Sequence, residues 1–217
     1  MPRSARQIVP GIPHHVIQRG NRQQPIFFTD EDRSRYLLFL KDACEAQQLQ
    51  CLAYCLMDNH VHLVLTPPSI DSLRAAMSSV HTRYAQRINH QHGLSGHLFQ
   101  GRYSSYPMDD AHMMIAVRYV ENNPVKAGMV HMAADWPWSS ARAHLGVVPD
   151  GLTDIAALSP HIHNWQAYLS EGLEASDKDE AIEAALRSGR ALGDETWIAQ
   201  NFTPRPKMGR PKKPLEK

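Results

Sequence analysis

Two histidines, a tyrosine and an asparagine have the types and spacing that could do chemistry. His60 and His62 are two residues apart in HVHLVLT, residues 60–66. In a strand, such residues project to one face, while Val61, Leu63 and Leu65 project to the other. Two converging imidazoles suit a divalent metal ion. A polar, half-buried strand edge would produce the same letters. The second piece is RYVENNP, residues 118–124. If it is helical, Tyr119 and Asn123 stand at i and i+4, one turn apart on one face. A tyrosine there could also be core packing, and an asparagine before proline could be a helix end. Together the two pieces supply a metal pair, a third oxygen ligand and a nucleophile.

The surrounding pattern predicts the elements that must position these side chains. PHHVIQR, residues 13–19, reads as a first strand, followed by a turn at Gly20-Asn21. Thr29 with Asp32 three residues later resembles a capping box, which opens a helix through Tyr36, Leu40 and Cys44. CLAYCLM (51–57) is short, apolar on both faces and β-rich, and Asp58-Asn59 turns it into the His-x-His strand as a hairpin. Pro67-Pro68 ends that strand, and Asp71 or Ser69 can cap a helix with apolar positions Leu73, Met77, Val80, Tyr84 and Ile88. Residues 98–107 suggest another strand or an extended loop. Asp109-Asp110 open a helix through Met113, Val117 and Val120 that is expected to stop near Pro124. The order β-α-β-β-α-β-α fits an α+β, ferredoxin-like sandwich with an antiparallel sheet. Beyond it, helices are expected around 164–170, 177–190 and 194–201. The predicted division is a domain over 1–145, a helical extension over 146–203 and a basic tail over 204–217.

Composition bounds the class. With 217 residues, 42% hydrophobic and 21% charged, the chain can bury a core, and disorder throughout is excluded. Cys44, Cys51 and Cys55 are too few for a disulfide scaffold and read as buried, reduced thiols. No apolar run is long enough to span a bilayer and MPRSARQIVPGIPHH lacks an apolar signal core, so a cytoplasmic protein is expected. The net charge of +1 conceals segregation. Residues 1–22 hold four arginines and no acid, and residues 72–108 hold Arg74, Arg83, Arg87 and Arg102 and no acid. Residues 171–196 carry a net −5, and residues 204–217, with four prolines, carry +5. Any one such block could be a solvated face, but several acid-free basic stretches favour a polyanion partner.

MDNHVHLVLTP, and YVENNPVKAGMV followed by DWPWSS, resemble two blocks of the REP-associated tyrosine transposases, insertion-sequence-200-like relatives of the histidine-hydrophobic-histidine, single-tyrosine transposases. HVIQRGNRQQPIFF, DRSRYLLFL and GHLFQGRYSS are similar to further blocks of that family, in register over roughly residues 8–145. Asp58 stands at a turn position where many relatives have proline. The resemblance implies that His60 and His62 are metal ligands, that Asn123 is the third ligand and that Tyr119 is the nucleophile. It implies Mg²⁺ or Mn²⁺ as cofactor, and imidazole ligation favours Mn²⁺. It also implies cleavage and rejoining of single-stranded DNA with hairpins through a 5′-phosphotyrosine, without ATP. A homodimer is compatible with it, and no membrane partner is expected. Two rival classes fit the same residues: a domesticated, noncatalytic binder of DNA hairpins, and a structural or RNA-binding ferredoxin-like module with no need of metal.

The basic stretches assign the DNA contacts. Arg19, Asn21 and Arg22 form a candidate groove-reading loop, and Arg83, Arg87 and Arg102 candidate phosphate contacts. Phe99, Tyr103 and Tyr106 are available to stack on bases. Arg210, with Lys212 and Lys213, sits in GRPKK, which resembles an AT-hook whose arginine enters a narrow minor groove. If three or four tail cations touch phosphates, deleting residues 204–217 should lower the slope of log K against log salt by roughly 2–3. Cleavage at saturating DNA should survive that deletion. Identical salt slopes for full-length and truncated protein would retire the AT-hook assignment.

Overall fold

A computed structural model describes residues 6–171, 182–184 and 190–202. The elements are β1 (His14–Arg19), α1 (Asp30–Gln47), β2 (Gln50–Leu56), β3 (His60–Thr66), α2 (Ser72–His92), β4 (Ser104–Pro107) and α3 (Asp110–Lys126). After them come α4 (Ala141–His144), α5 (Ile155–Leu158), α6 (Trp165–Glu171) and α7 (Glu195–Asn201). The sheet order is β2-β3-β1-β4, with every neighbouring pair antiparallel. This is the ferredoxin-like α+β arrangement that the order of elements predicts. No helix among the described residues is long and apolar enough to cross a membrane.

Strand alternation sorts the side chains into two layers. Val61, Leu63 and Leu65 of β3 and Val16 of β1 enter a core with Tyr36 and Leu40 of α1 and Leu73, Met77, Val80, Tyr84 and Ile88 of α2. All five apolar positions expected on α2 are fully buried. On the opposite face, Val64, Ala53 and Cys55 pack against Met113, Ala116, Val117 and Val120 of α3. Leu158 and Leu192 from the C-terminal part join this second core. Cys44, Cys51 and Cys55 are buried and free.

The helix ends show where local signals act. The Thr29 hydroxyl accepts from Asp32 N (3.2 Å) and the Asp32 carboxylate accepts from Thr29 N (3.0 Å), which is the expected capping box. Neither expected cap on α2 forms through its side chain. Asp71 occupies the N-cap without a capping bond, and the Ser72 hydroxyl instead donates to the Ser69 carbonyl at 2.8 Å. The expected stop of α3 near Pro124 falls two residues short. A proline in the last turn forfeits only its own N–H bond, and Ala127 N still reaches Asn123 O at 2.9 Å. The extended stretch 98–107 forms a strand only over Ser104–Pro107. The acidic stretch around 177–190 lies largely outside the described residues, as does the tail.

The DWPWSS block, residues 135–140, covers the outer edge of β2. Leu56 N donates to Trp138 O (2.8 Å), Ser140 N to Tyr54 O (3.0 Å), and the Trp136 indole to Leu56 O (3.1 Å). This pairs backbone that an edge strand would otherwise leave open. The same block fastens α3 through a buried carboxylate. Glu121 Oε1 accepts from the Ser140 hydroxyl at 2.5 Å and from His144 Nδ1 at 2.6 Å. The His144 ring in turn stacks on Trp165 at 3.9 Å. Glu121→Ala would strand two buried donors, each costing about 1–3 kcal/mol. A loss of about 2–4 kcal/mol is expected, read as a lower midpoint in urea unfolding. An unchanged midpoint would mean that this network does not secure α3.

Candidate active site

Pairing of β1 with β3 brings three imidazoles together beneath α3. His62 lies opposite Ile17 and His60 opposite Arg19, so the face of β3 carrying the two histidines continues into the face of β1 carrying His15 and Ile17. The rings of His60 and His62 are 4.8 Å apart, and those of His15 and His62 are 5.1 Å apart. His15 Nε2 and His62 Nδ1 share a hydrogen bond of 2.9 Å. From α3, the Tyr119 ring stands edge-on to His62 at 5.7 Å and to His15 at 6.1 Å. Lys126 brings its ammonium to 5.7 Å from the Tyr119 ring. Asn123 follows Tyr119 by one helical turn and is half-buried, its main-chain carbonyl engaged by Ala127.

The electrostatics keep the imidazoles neutral. Burial, with the Arg19 charge nearby, lowers the His60 pKa to about 4. Burial holds His62 well below the usual histidine range, reinforced by His15, His60 and Arg19. Burial alone brings His15 to about 3. A neutral imidazole is the form that binds metal. The Asn59 amide oxygen accepts from His60 Nδ1 at 2.6 Å, which fixes the tautomer and leaves the Nε2 lone pair available. For His62, Nε2 is available when Nδ1–H donates to His15 Nε2. The donor set therefore fits a divalent ion on His60 and His62. Among the described residues, no three His, Cys, Asp or Glu side chains gather as a metal shell. A third protein ligand would be of another type, such as the Asn123 amide oxygen.

Comparison with known proteins bears on this arrangement. Residues 9–123, more than half of the chain, match the family described as "Transposase IS200 like". The chain belongs to the IS200-like transposase family. A Haemophilus influenzae protein named as a REP-associated tyrosine transposase is 26% identical over 136 residues, which cover 58% of this chain and 75% of that one. Among solved structures, that of a REP-associated tyrosine transposase bound to a REP hairpin aligns with a TM-score of 0.57 and 20% identity. The alignment covers 71% of this chain and 90% of that one, and establishes a shared fold.

In this IS200-like transposase the expected DNA-contact residues fall into four groups, one of them outside the described residues. Arg19 is exposed beside His60, and Asn21 and Arg22 lie in a 3₁₀ turn, with Arg22 in the left-handed region at φ 53°. That turn abuts the β2–β3 turn: Gly20 N donates to Asn59 O (2.8 Å) and the Asn59 amide donates to Gln23 O (3.1 Å). A side chain at Gly20 would run into the Gln24 carbonyl and an Ile26 methyl, so only glycine fits. Arg83 and Arg87 bridge α2 to α1 through Asp42 (3.0 Å) and Glu31 (2.7 Å), which offsets part of their charge in place. Arg102 lies in the loop before β4, lining a groove with Asn21. Arg210, Lys212 and Lys213 lie outside the described residues. Asp58, at the turn position, pairs with the mostly buried Arg33 of α1 at 2.5 Å.

His15 is the site residue that the sequence reading missed. Its signal was present, since alternation in PHHVIQR separates His15 from Val16 and antiparallel pairing sets it beside His62. If His15 holds the Nδ1–H of His62, His15→Leu should weaken Mn²⁺ binding about 10–100-fold in calorimetry. His15→Gln, which keeps an acceptor, should recover part of that loss. Equal Mn²⁺ affinity for wild type and His15→Leu would assign His15 to packing alone.

Proposed function

We propose that this protein cleaves and rejoins single-stranded DNA beside hairpins, with Tyr119 as nucleophile. The observation that carries the reading is the meeting of Tyr119 with His62, two side chains from α3 and β3 that sequence separates but the fold brings to 5.7 Å. Family membership and the hairpin-bound solved relative support it. His60 and His62, with the Asn123 amide, would hold Mg²⁺ or Mn²⁺. Such an ion supplies Lewis-acid polarisation of a phosphate oxygen.

The chain's own residues account for the rest. Burial and the tautomer-fixing bonds of Asn59 and His15 keep both imidazoles neutral and oriented. The Tyr119 hydroxyl oxygen attacks phosphorus in line, displacing the 3′ oxygen of the neighbouring nucleotide and leaving a 5′-phosphotyrosine and a free 3′-OH. The reverse attack by a 3′-OH restores the phosphodiester and the tyrosine, so bond energy is conserved. Lys126 provides positive charge beside the ring on which phenolate charge develops. α3 is clamped by Glu121 and Asn122, whose amide donates to Leu169 O at 2.8 Å, and this limits how far Tyr119 can wander from the imidazoles.

The test uses labelled single-stranded DNA carrying hairpins from the source genome's palindromic repeats. Wild-type protein with Mn²⁺ should form a covalent adduct. Tyr119→Phe should lose the adduct and keep hairpin affinity, because only one hydroxyl is removed. His60→Ala and His62→Ala should each lose cleavage, as should wild type in EDTA. An adduct that persists in Tyr119→Phe would move the nucleophile elsewhere, and full cleavage in EDTA would overturn the metal assignment.

A further inference from the structure

On the sheet face away from Tyr119, a groove of about 910 Å³ runs between α2 and the loop that leads into β4. Its size is in the range of sites that enclose small molecules. Among the described residues that line it there is no carboxylate, while Arg6, Arg74 and Arg102 all line it. Arg74 pairs with Asp71 in an exposed ion pair, of the kind worth little in water and open to exchange for a phosphate. The Arg6 guanidinium carbon lies over the Tyr103 ring at 3.7 Å from its centre, and its Nε donates to Tyr103 O at 2.9 Å. The wall is aromatic: Phe99 is 4.8 Å from the half-buried His81 ring, which is itself fixed by the Tyr36 hydroxyl at 3.1 Å.

Two buried polar side chains that line this groove, Gln18 and Tyr103, are incompletely satisfied among the described residues. Gln18 is 2% exposed, and its amide nitrogen lies 3.1 Å from Gly101 O and 3.4 Å from Arg19 O, which fixes which end is the donor. Among the described residues, its Oε1 has no hydrogen-bond partner, and neither has the buried Tyr103 hydroxyl. Unsatisfied buried acceptors are costly, and a ligand N–H is one way to meet that cost. Cations at the rim, flat rings on the wall and an amide acceptor at the base match one chemical class, a planar heterocycle with N–H groups joined to phosphate.

We propose that this groove takes an unpaired nucleotide of the DNA strand, with the base against Phe99 and Tyr103 and the flanking phosphates on the arginine rim. The inference rests on the DNA-strand reading above and adds a second contact point to it. Continuity favours a strand over a free nucleotide. Gln18 is flanked on β1 by Ile17 and Arg19, the residues opposite His62 and His60, so groove and imidazoles share the same rows of the sheet on opposite faces. Asn21 lines the groove, and its N–H is tied to Leu98 O at 2.8 Å. A strand passing over the end of β1 would meet Asn21, then Arg19, then His60.

The test is a position-by-position abasic scan of the single-stranded flanks of the hairpin DNA, with affinity measured on full-length protein. Loss of a stacked base should reduce affinity about tenfold or more at one position and little elsewhere. Ser78 and Gln86 are exposed on α2 and line the groove, so Ser78→Trp and Gln86→Trp plug it without touching the core. In either plugged variant that melts like wild type, the sensitive position should become insensitive. A flat scan, or a sensitive position unchanged by both plugs, would overturn the proposal, even if wild type still forms the tyrosine adduct. Displacement of the plug effect onto free deoxynucleoside monophosphates, with the scan flat, would make the groove a mononucleotide site and also overturn it. Absence of any adduct or DNA affinity in wild type would instead sink the reading on which this one rests.

Discussion

Antiparallel pairing of β1 with β3 is the constraint on which the rest of the structure depends. The register Val16–Leu63 and Ile17–His62 sends one set of side chains to α1 and α2 and the other set to α3. Because side chains in a strand alternate strictly, the apolar set and the imidazole set cannot be chosen independently. Burial of Val61, Leu63 and Leu65 therefore presents His60 and His62 to the other layer. The hydrophobic effect, which has no direction of its own, is thereby converted into an orientation for two metal-competent rings.

The second layer has to bring a helix to those rings and hold it there. α3 does so with an apolar stripe of Met113, Ala116, Val117 and Val120, and with a polar anchor at Glu121. The anchor explains why a helix block and a Trp-rich block, separate in sequence, act together. One provides the buried carboxylate, and the other the hydroxyl and the edge cover for β2. A carboxylate in that position would be costly alone and is tolerable because two donors meet it.

Much of this was legible in the residues themselves. The His-x-His strand, its hairpin turn, the capping box at Thr29 and the apolar positions of α2 followed from period and turn chemistry, and the order of elements gave the sandwich. Harder to read were features that depend on partners remote in sequence. His15 looked like any strand histidine until pairing placed it on His62. The ion pairs of Arg83 and Arg87, candidate phosphate contacts in an acid-free stretch, were hidden because α1's acids lie forty or more residues away in sequence. The overrun of α3 past Pro124 was missed because a proline's missing N–H matters least in a final turn. The groove behind Gln18 was legible only in part: Phe99, Arg102 and Tyr103 stand out as candidate DNA contacts, but their assembly with Gln18 of β1 and with α2 depends on pairing remote in sequence.

The order in which the chain supplies these parts has a consequence for a cell. β1 and β3 arrive early in synthesis, but Tyr119 arrives on α3, and the Ser140 and His144 that steady α3 arrive later still. A nascent or prematurely ended chain can thus carry the paired histidines without a positioned tyrosine. On the function proposed here, a protein able to nick DNA becomes competent only when its last supporting segment is in place. The topology thus couples the placing of Tyr119 to synthesis of the segment that ends at His144.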